Sequence, residues 1–260
     1  MEVVVLPTQQ QRVDLVADAI VALLGAKPTA VLGLATGSSP SPVYAELVRR
    51  YARSQVSFAR AVAFTLDEYL GLPPGHPQAY RNVIEREFAS QVDLPAANLH
   101  TPNGQAEDVP AACAAYEREI AEAGGIDVQL LGIGSDGHLA FNEPGSSLAS
   151  RTRVKTLTPR TRADNARFFG SPDEVPHHVL TQGIGTILQA RHLVLLANGD
   201  GKADAVRTAI EGPVSARCPA SAMQLHPHAT VVLDEAAASR LQLREYYAAV
   251  WADKPAWQGI

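Results

Sequence analysis

The strongest constraint in this chain is a set of short apolar runs: "VVVLP", "AVLGLATG", "AVAFTLDEY", "DVQLLGIG", "HLVLLANG" and "ATVVLD". Valine, leucine and isoleucine fill them without regular alternation with polar residues, so strands built from them are buried on both faces. Such strands need cover on each side, and the stretches between them supply it. "QQRVDLVADAIVALLGA" has amphipathic helical spacing, and "PVYAELVRRYA" opens with Pro42 at a favourable first helical position. "PQAYRNVIEREFA", "AACAAYEREIAEAG" and "GKADAVRTAIEG" read as further helices, with a final one near "EAAASRLQ". This alternation predicts an α/β fold, an open and mostly parallel sheet with helices on both faces. The 260 residues suffice for one large core, and no repeat or composition break divides them. We therefore read a single α/β domain over residues 1–260. Residues 145–176, rich in Ser, Thr and Arg, read as a loop or helical cap over the site, or else as a surface excursion.

Composition excludes several function classes. The formal net charge is −5 and no basic run occurs, which argues against a nucleic-acid partner. No stretch approaches the about 18 apolar residues of a membrane span. "MEVVVLP" places an acid where a signal peptide needs basic residues. The only cysteines, Cys113 and Cys218, are too few for a disulfide framework, and the chain reads as cytoplasmic.

In parallel α/β sheets ligands bind beyond the carboxyl ends of the strands, and four polar clusters fall there. "ATGSSP" offers backbone N–H groups, hydroxyls and a helix N-terminus to a phosphate; read alone, it is equally well a tight turn. In "TLDEYLGL", Asp67 and Glu68 end an apolar strand, and neighbours on an extended chain point opposite ways. One carboxylate should face the site while the other anchors structure, unless the pair only caps a helix. "GIGSDGHLAFNEP" packs Asp136, His138 and Glu143 into eight positions, with His138 the one side chain there whose ordinary pKa is near neutrality. In "NGDGKAD", Lys202 opens a helix, where a shared anion would offset its clash with the helix dipole. "PHH" and "HPH" lack the spacing of a metal site, and no G-x-S-x-G elbow marks a serine hydrolase.

Taken in order, "GLATGSSPSPVYAEL", "TLDEYLGLPPGHPQAYRNVI", "GIGSDGHLAFNEPGSSLASRTRVKTLT" and "MQLHPHATVVLDE" resemble the glucosamine-6-phosphate deaminase family, from Gly33 to Glu235. The resemblance implies a Rossmann-like fold that turns glucosamine 6-phosphate and water into fructose 6-phosphate and ammonia, with no metal or organic cofactor. It implies that Asp67 moves a proton between carbons 2 and 1, and that His138 opens the sugar ring with Glu143 and Asp136 holding and polarising it. Phosphate ligands would be Thr36, Gly37, Ser38, Ser39, Arg167 and Lys202. The phosphate loop departs from the family, which commonly has two glycines after the threonine where Gly37 is followed here by Ser38 and Ser39. Some members are homo-oligomers activated by N-acetylglucosamine 6-phosphate through residues matching Ser146, Arg153 and Lys155, which are present but would equally serve the fold. The rival readings are a 6-phosphogluconolactonase-like hydrolase, a non-catalytic sugar-phosphate-binding regulator, and an isomerase of another amino sugar phosphate.

Overall fold

The computed structural model describes residues 1–260. In chain order the elements are β1 (Glu2–Val5), α1 (Gln9–Ala26), β2 (Val31–Leu34), α2 (Ser41–Ala52), β3 (Val62–Thr65), β4 (Asp67–Tyr69), α3 (Tyr80–Glu87), β5 (Leu99–His100), α4 (Val109–Glu122), β6 (Val128–Leu131), β7 (Arg153–Thr156), α5 (Pro159–Asn165), β8 (His178–Thr181), α6 (Ile184–Ile187), β9 (His192–Ala197), α7 (Ala203–Glu211), β10 (Ala229–Leu233) and α8 (Arg244–Ala252). All six apolar runs become strands of one seven-stranded sheet, ordered β1-β10-β9-β6-β2-β3-β5 and parallel throughout.

Successive residues of these strands feed two cores. In β9, Leu193, Leu195 and Ala197 pack on one side with Val206, Ala209 and Ile210 of α7. Val194 and Leu196 point the other way, into the layer of α1 and α2 with Val16, Ile20, Val43 and Leu47. The absence of alternation in the sequence is thus the signature of helices on both faces. Helix starts follow local chemistry. A capping box opens α1, where Thr8 Oγ1 accepts from the Gln11 N–H and Gln11 Oε1 accepts from the Thr8 N–H, each at 3.2 Å. Among the described residues, no helix is long and apolar enough to cross a membrane.

Two expectations change. The run "AVAFTLDEY" is two strands, because the chain leaves the parallel sheet at Leu66. Its N–H still donates to Leu34 O at 3.1 Å, but its carbonyl accepts from Gln182 N at 2.8 Å. From Asp67 onward the chain belongs to a second, antiparallel sheet ordered β4-β8-β7, in which Asp67 pairs with Thr181. The alanine-rich "EAAASRLQ" is a series of turns and not a helix. The Asp234 carboxylate accepts from Ala237 N and Gly199 N, and Glu211 accepts from Gln242 N and Leu243 N, so the last helix begins only at Arg244.

Residues 145–176 hold β7, α5 and two short 3-10 turns. Thr158 starts α5 by accepting from the Thr161 N–H at 3.2 Å, with Pro159 at the first helical position. A separate apolar cluster of Tyr69, Leu72, Phe141, Leu157, Val175 and Val179 anchors this sheet. The large sheet has its switch point between β2, which leads to β3 on one side, and β6, which leads to β9 on the other. The loops after these two strands lie at this switch point, the kind of position at which such sheets bind ligands.

Candidate active site

The loop after β6 is built around His138. Gly134 N donates to His138 O and Gly137 N to Gly134 O, both at 3.0 Å, closing a tight turn. Both glycines are required. A Cβ at Gly134 would sit 2.3 Å from the His138 ring, and Gly137 has a left-handed φ of +85° with Cys218 Sγ where its Cβ would go. Asp136 Oδ1 accepts from His138 N at 3.1 Å and lies 2.7 Å from His138 Nδ1, a charge contact in which the ring N–H is off the hydrogen-bond line. The imidazole beside it holds the Asp136 carboxyl down to about 2, so the carboxylate is charged at any working pH.

Glu143 behaves differently from the expectation. Its Oε1 accepts from Thr158 Oγ1 at 3.1 Å and from Thr161 Oγ1, both on the cap, while the carboxylate that touches the His138 ring is that of Asp136. Glu143 ties the loop to α5, with 7% of its surface exposed.

The two carboxylates of "TLDEY" divide as strand geometry requires. Glu68 accepts from Tyr69 N at 2.8 Å, Tyr80 N at 2.9 Å and Arg81 N at 3.0 Å, anchoring the first turn of α3. Burial raises its pKa against the pull of these three N–H groups. Asp67 is 6% exposed, and no side-chain hydrogen bond to its carboxylate occurs among the described residues. Burial, with the Glu68 charge adding, pushes Asp67 well above the ordinary carboxylate value. A largely buried carboxylate with no donor from the protein is a candidate general base. Tyr69, Tyr80 and Tyr116 all feel its charge. Tyr69 Oη accepts from Asn165 Nδ2 at 3.1 Å and from Tyr80 Oη at 3.2 Å, while burial pushes the Tyr69 phenol up to about 12, so it stays protonated.

The expected phosphate ligands lie on three segments of the chain. Residues 36–39 form the turn between β2 and α2, with Gly37 at φ +109° and Tyr44 Oη donating to Ala35 O at 2.7 Å. Lys202 is half-buried just before α7; burial lowers its pKa, the nearby Asp136 and Asp164 charges raise it, and Arg167 lowers it further. Lys202 is therefore close enough to sense Asp136, Asp164 and Arg167. Arg167 stacks on Phe168 with 4.8 Å from guanidinium to ring centroid. One contact escaped the sequence reading: Arg160 of α5 donates to Ser135 Oγ at 3.1 Å, holding the cap over the His138 loop. Its only signal was the T-P-R-T helix start.

Of the three residues matched to an activator site, Ser146 is buried behind Glu143, its N–H donating to Glu143 O at 3.0 Å. Arg153 and Lys155 lie two apart on β7, hence on one face of the strand. Arg153 is turned inward, donating to Asn142 Oδ1 at 2.7 Å. Of the histidine pairs, His226 Nε2 is spent on Ala190 O, and His228 stacks on His192.

These residues comprise a buried carboxylate with a raised pKa, a histidine in contact with a carboxylate, and a lysine near an arginine. A sequence profile describing glucosamine-6-phosphate isomerases/6-phosphogluconolactonase matches residues 8–232. The chain belongs to this family. Among its members, the glucosamine-6-phosphate deaminases of Arthrobacter sp. (strain FB24) and Mycolicibacterium smegmatis are each 62% identical to it over the full length of both chains. The solved structure of a monomeric glucosamine-6-phosphate deaminase superposes with a TM-score of 0.90 at 42% identity, covering 92% of this chain and 100% of that one. The 6-phosphogluconolactonase of Trypanosoma cruzi shares the fold at a TM-score of 0.76 and 21% identity, over 93% and 97% of the two chains.

Proposed function

We propose that this chain is an enzyme that converts glucosamine 6-phosphate and water to fructose 6-phosphate and ammonia in amino sugar catabolism. The observation that best supports this reading is Asp67, a buried carboxylate at the end of the β3 run with a raised pKa and no hydrogen bond from the protein, in a chain that also holds an Asp136–His138 pair after β6. The relatives' shared activity points the same way.

In this reading His138 takes the proton of the anomeric hydroxyl and delivers one to the ring oxygen, opening the pyranose; Asp136 holds the ring and stabilises its cationic form. Asp67 then removes the proton from carbon 2, next to the carbon 1 carbonyl, while the substrate's ammonium gives a proton to the carbonyl oxygen; Asp67 returns its proton to carbon 1 of the resulting enolamine. Carbon 2 is left as an iminium, which water hydrolyses to the ketone and ammonia. The phosphate, held by residues 36–39, Arg167 and Lys202, is a remote handle whose binding energy positions the reacting carbons. Arginine grips such a group through two N–H donors, and the lysine supplies a point charge.

The substrate partner is thus a sugar phosphate. The presence of Ser146, Arg153 and Lys155 permits, without establishing, a homo-oligomer that responds to N-acetylglucosamine 6-phosphate. A cytoplasmic location is inferred from the two unpaired buried thiols, Cys113 and Cys218. The test is ammonia release from glucosamine 6-phosphate without added metal, run with and without N-acetylglucosamine 6-phosphate beside a sizing column. Ammonia release supports the reading. Tight binding without turnover selects a regulator, and hydrolysis of 6-phosphogluconolactone alone selects the lactonase.

A further inference from the structure

We propose that Asn142 is a positioning residue that sets the His138 turn against the strand of Asp67, with Arg153 fixing the orientation of its amide; this rests on the deaminase reading above.

Asn142 is fully buried, and each end of its side chain is committed. Nδ2 donates to Leu139 O at 3.0 Å and to Gln182 O at 2.7 Å, using both amide hydrogens. The backbone N–H of Asn142 donates to the same Leu139 carbonyl at 2.9 Å. Leu139 directly follows His138, and Ala140 inside the turn has a φ of +50°, a left-handed conformation that residues with a Cβ rarely adopt. Two donors from one residue therefore hold closed a turn that its own sequence does not favour.

The other side of the amide reaches Asp67. Gln182 N donates to Leu66 O at 2.8 Å and Gln182 Nε2 to Thr65 O at 3.1 Å, the two residues that precede Asp67. The neighbouring Thr181 pairs with Asp67 across the antiparallel sheet, and its Oγ1 accepts from Phe141 N at 3.2 Å. The turn carrying the ring-opening histidine and the strand carrying the isomerising base are thus joined through one buried side chain and its immediate neighbours. Arg153 has donors only, so its bond to Asn142 Oδ1 forces the amide oxygen outward and both amide hydrogens toward the two carbonyls.

Asn142→Asp keeps the shape but sets a carboxylate oxygen against Leu139 O and Gln182 O. The full-length variant is assayed without N-acetylglucosamine 6-phosphate, together with Asn142→Ala, Arg153→Met and Arg153→Lys, and each is melted thermally. The expected result is a kcat about 100-fold lower for either Asn142 variant with KM near the wild-type value, because the phosphate ligands are untouched. Arg153→Met should lose about tenfold in kcat, and Arg153→Lys, which can still donate to Oδ1, should recover most of it. A cooperatively melting Asn142 variant with wild-type kcat overturns the proposal. If neither Asn142 variant melts cooperatively, an unchanged kcat for Arg153→Met overturns it. A wild type that releases no ammonia removes the deaminase reading and this proposal with it, whereas an active wild type with unaffected variants removes this proposal alone.

Discussion

The strands of the large sheet carry valine, leucine and isoleucine into two apolar cores, whereas the three strands of the small sheet carry Asp67, Glu68, Arg153, Lys155 and His178. One sheet is a frame whose side chains interact mainly through close packing. The other places ionisable groups at the rim of that frame, where burial changes their chemistry. Asp67 belongs to the second sheet although it continues a strand of the first, so the frame positions a carboxylate, the proposed base, that the small sheet then buries. Stability should therefore reside in the first region and turnover in the second, and substitutions can separate the two.

The largest expected effect is on the small sheet. Asp67→Asn should lower kcat by about 10³-fold, within the range for loss of a general base, while binding of the sugar phosphate persists. The same variant should be more stable than wild type at neutral pH. A carboxyl whose folded pKa is raised above its ordinary 3.8 contributes stability that is present below that value and is lost as pH rises through the folded pKa. Asparagine removes this loss, so thermal melts of the two proteins should converge as pH falls toward 3.8 and separate above it. By the same reasoning, wild-type turnover should fall on acidification at a pH above that of an ordinary carboxylate. In the frame, Leu130→Ala, at a fully buried site of β6, should cost about 2–5 kcal/mol of stability and leave kcat of the folded fraction unchanged. At the cationic end, Lys202→Ala should raise KM by about tenfold or more with a smaller change in kcat. Thr161→Val, which removes one donor to Glu143, should cost only about 1 kcal/mol, read as a small drop in Tm.

The two regions also differ in how far the sequence disclosed them. The large sheet was legible because its strands are short, apolar and separated by amphipathic helices, a pattern set by burial alone. β7, "RVKT", and β8, "HVLT", alternate polar and apolar residues inside irregular stretches and become strands only by pairing with each other and with β4. The switch of sheets at Leu66 left no trace, since extended backbone continues through it. In the site, the division of labour between Asp67 and Glu68 followed from strand geometry, and Asp136 with His138 from their closeness in the chain. The partners of Glu143 did not follow, because Thr158 and Thr161 lie 15 and 18 residues further on and meet it only when the cap folds over. Asn142 was passed over for a related reason: an amide beside stronger acids has no chemistry of its own until its hydrogen bonds are seen.

In the proposed reaction two groups on different segments, Asp67 of β4 and His138 of the loop after β6, handle two different protons. Asp67→Asn and His138→Gln are compared on cyclic glucosamine 6-phosphate and on an open-chain analogue, following exchange of the carbon 2 proton with solvent. Asp67→Asn should abolish exchange on both, while His138→Gln should slow it far more on the cyclic sugar than on the open chain. Equal losses for His138→Gln on the two substrates, or near-normal exchange in Asp67→Asn, would contradict it.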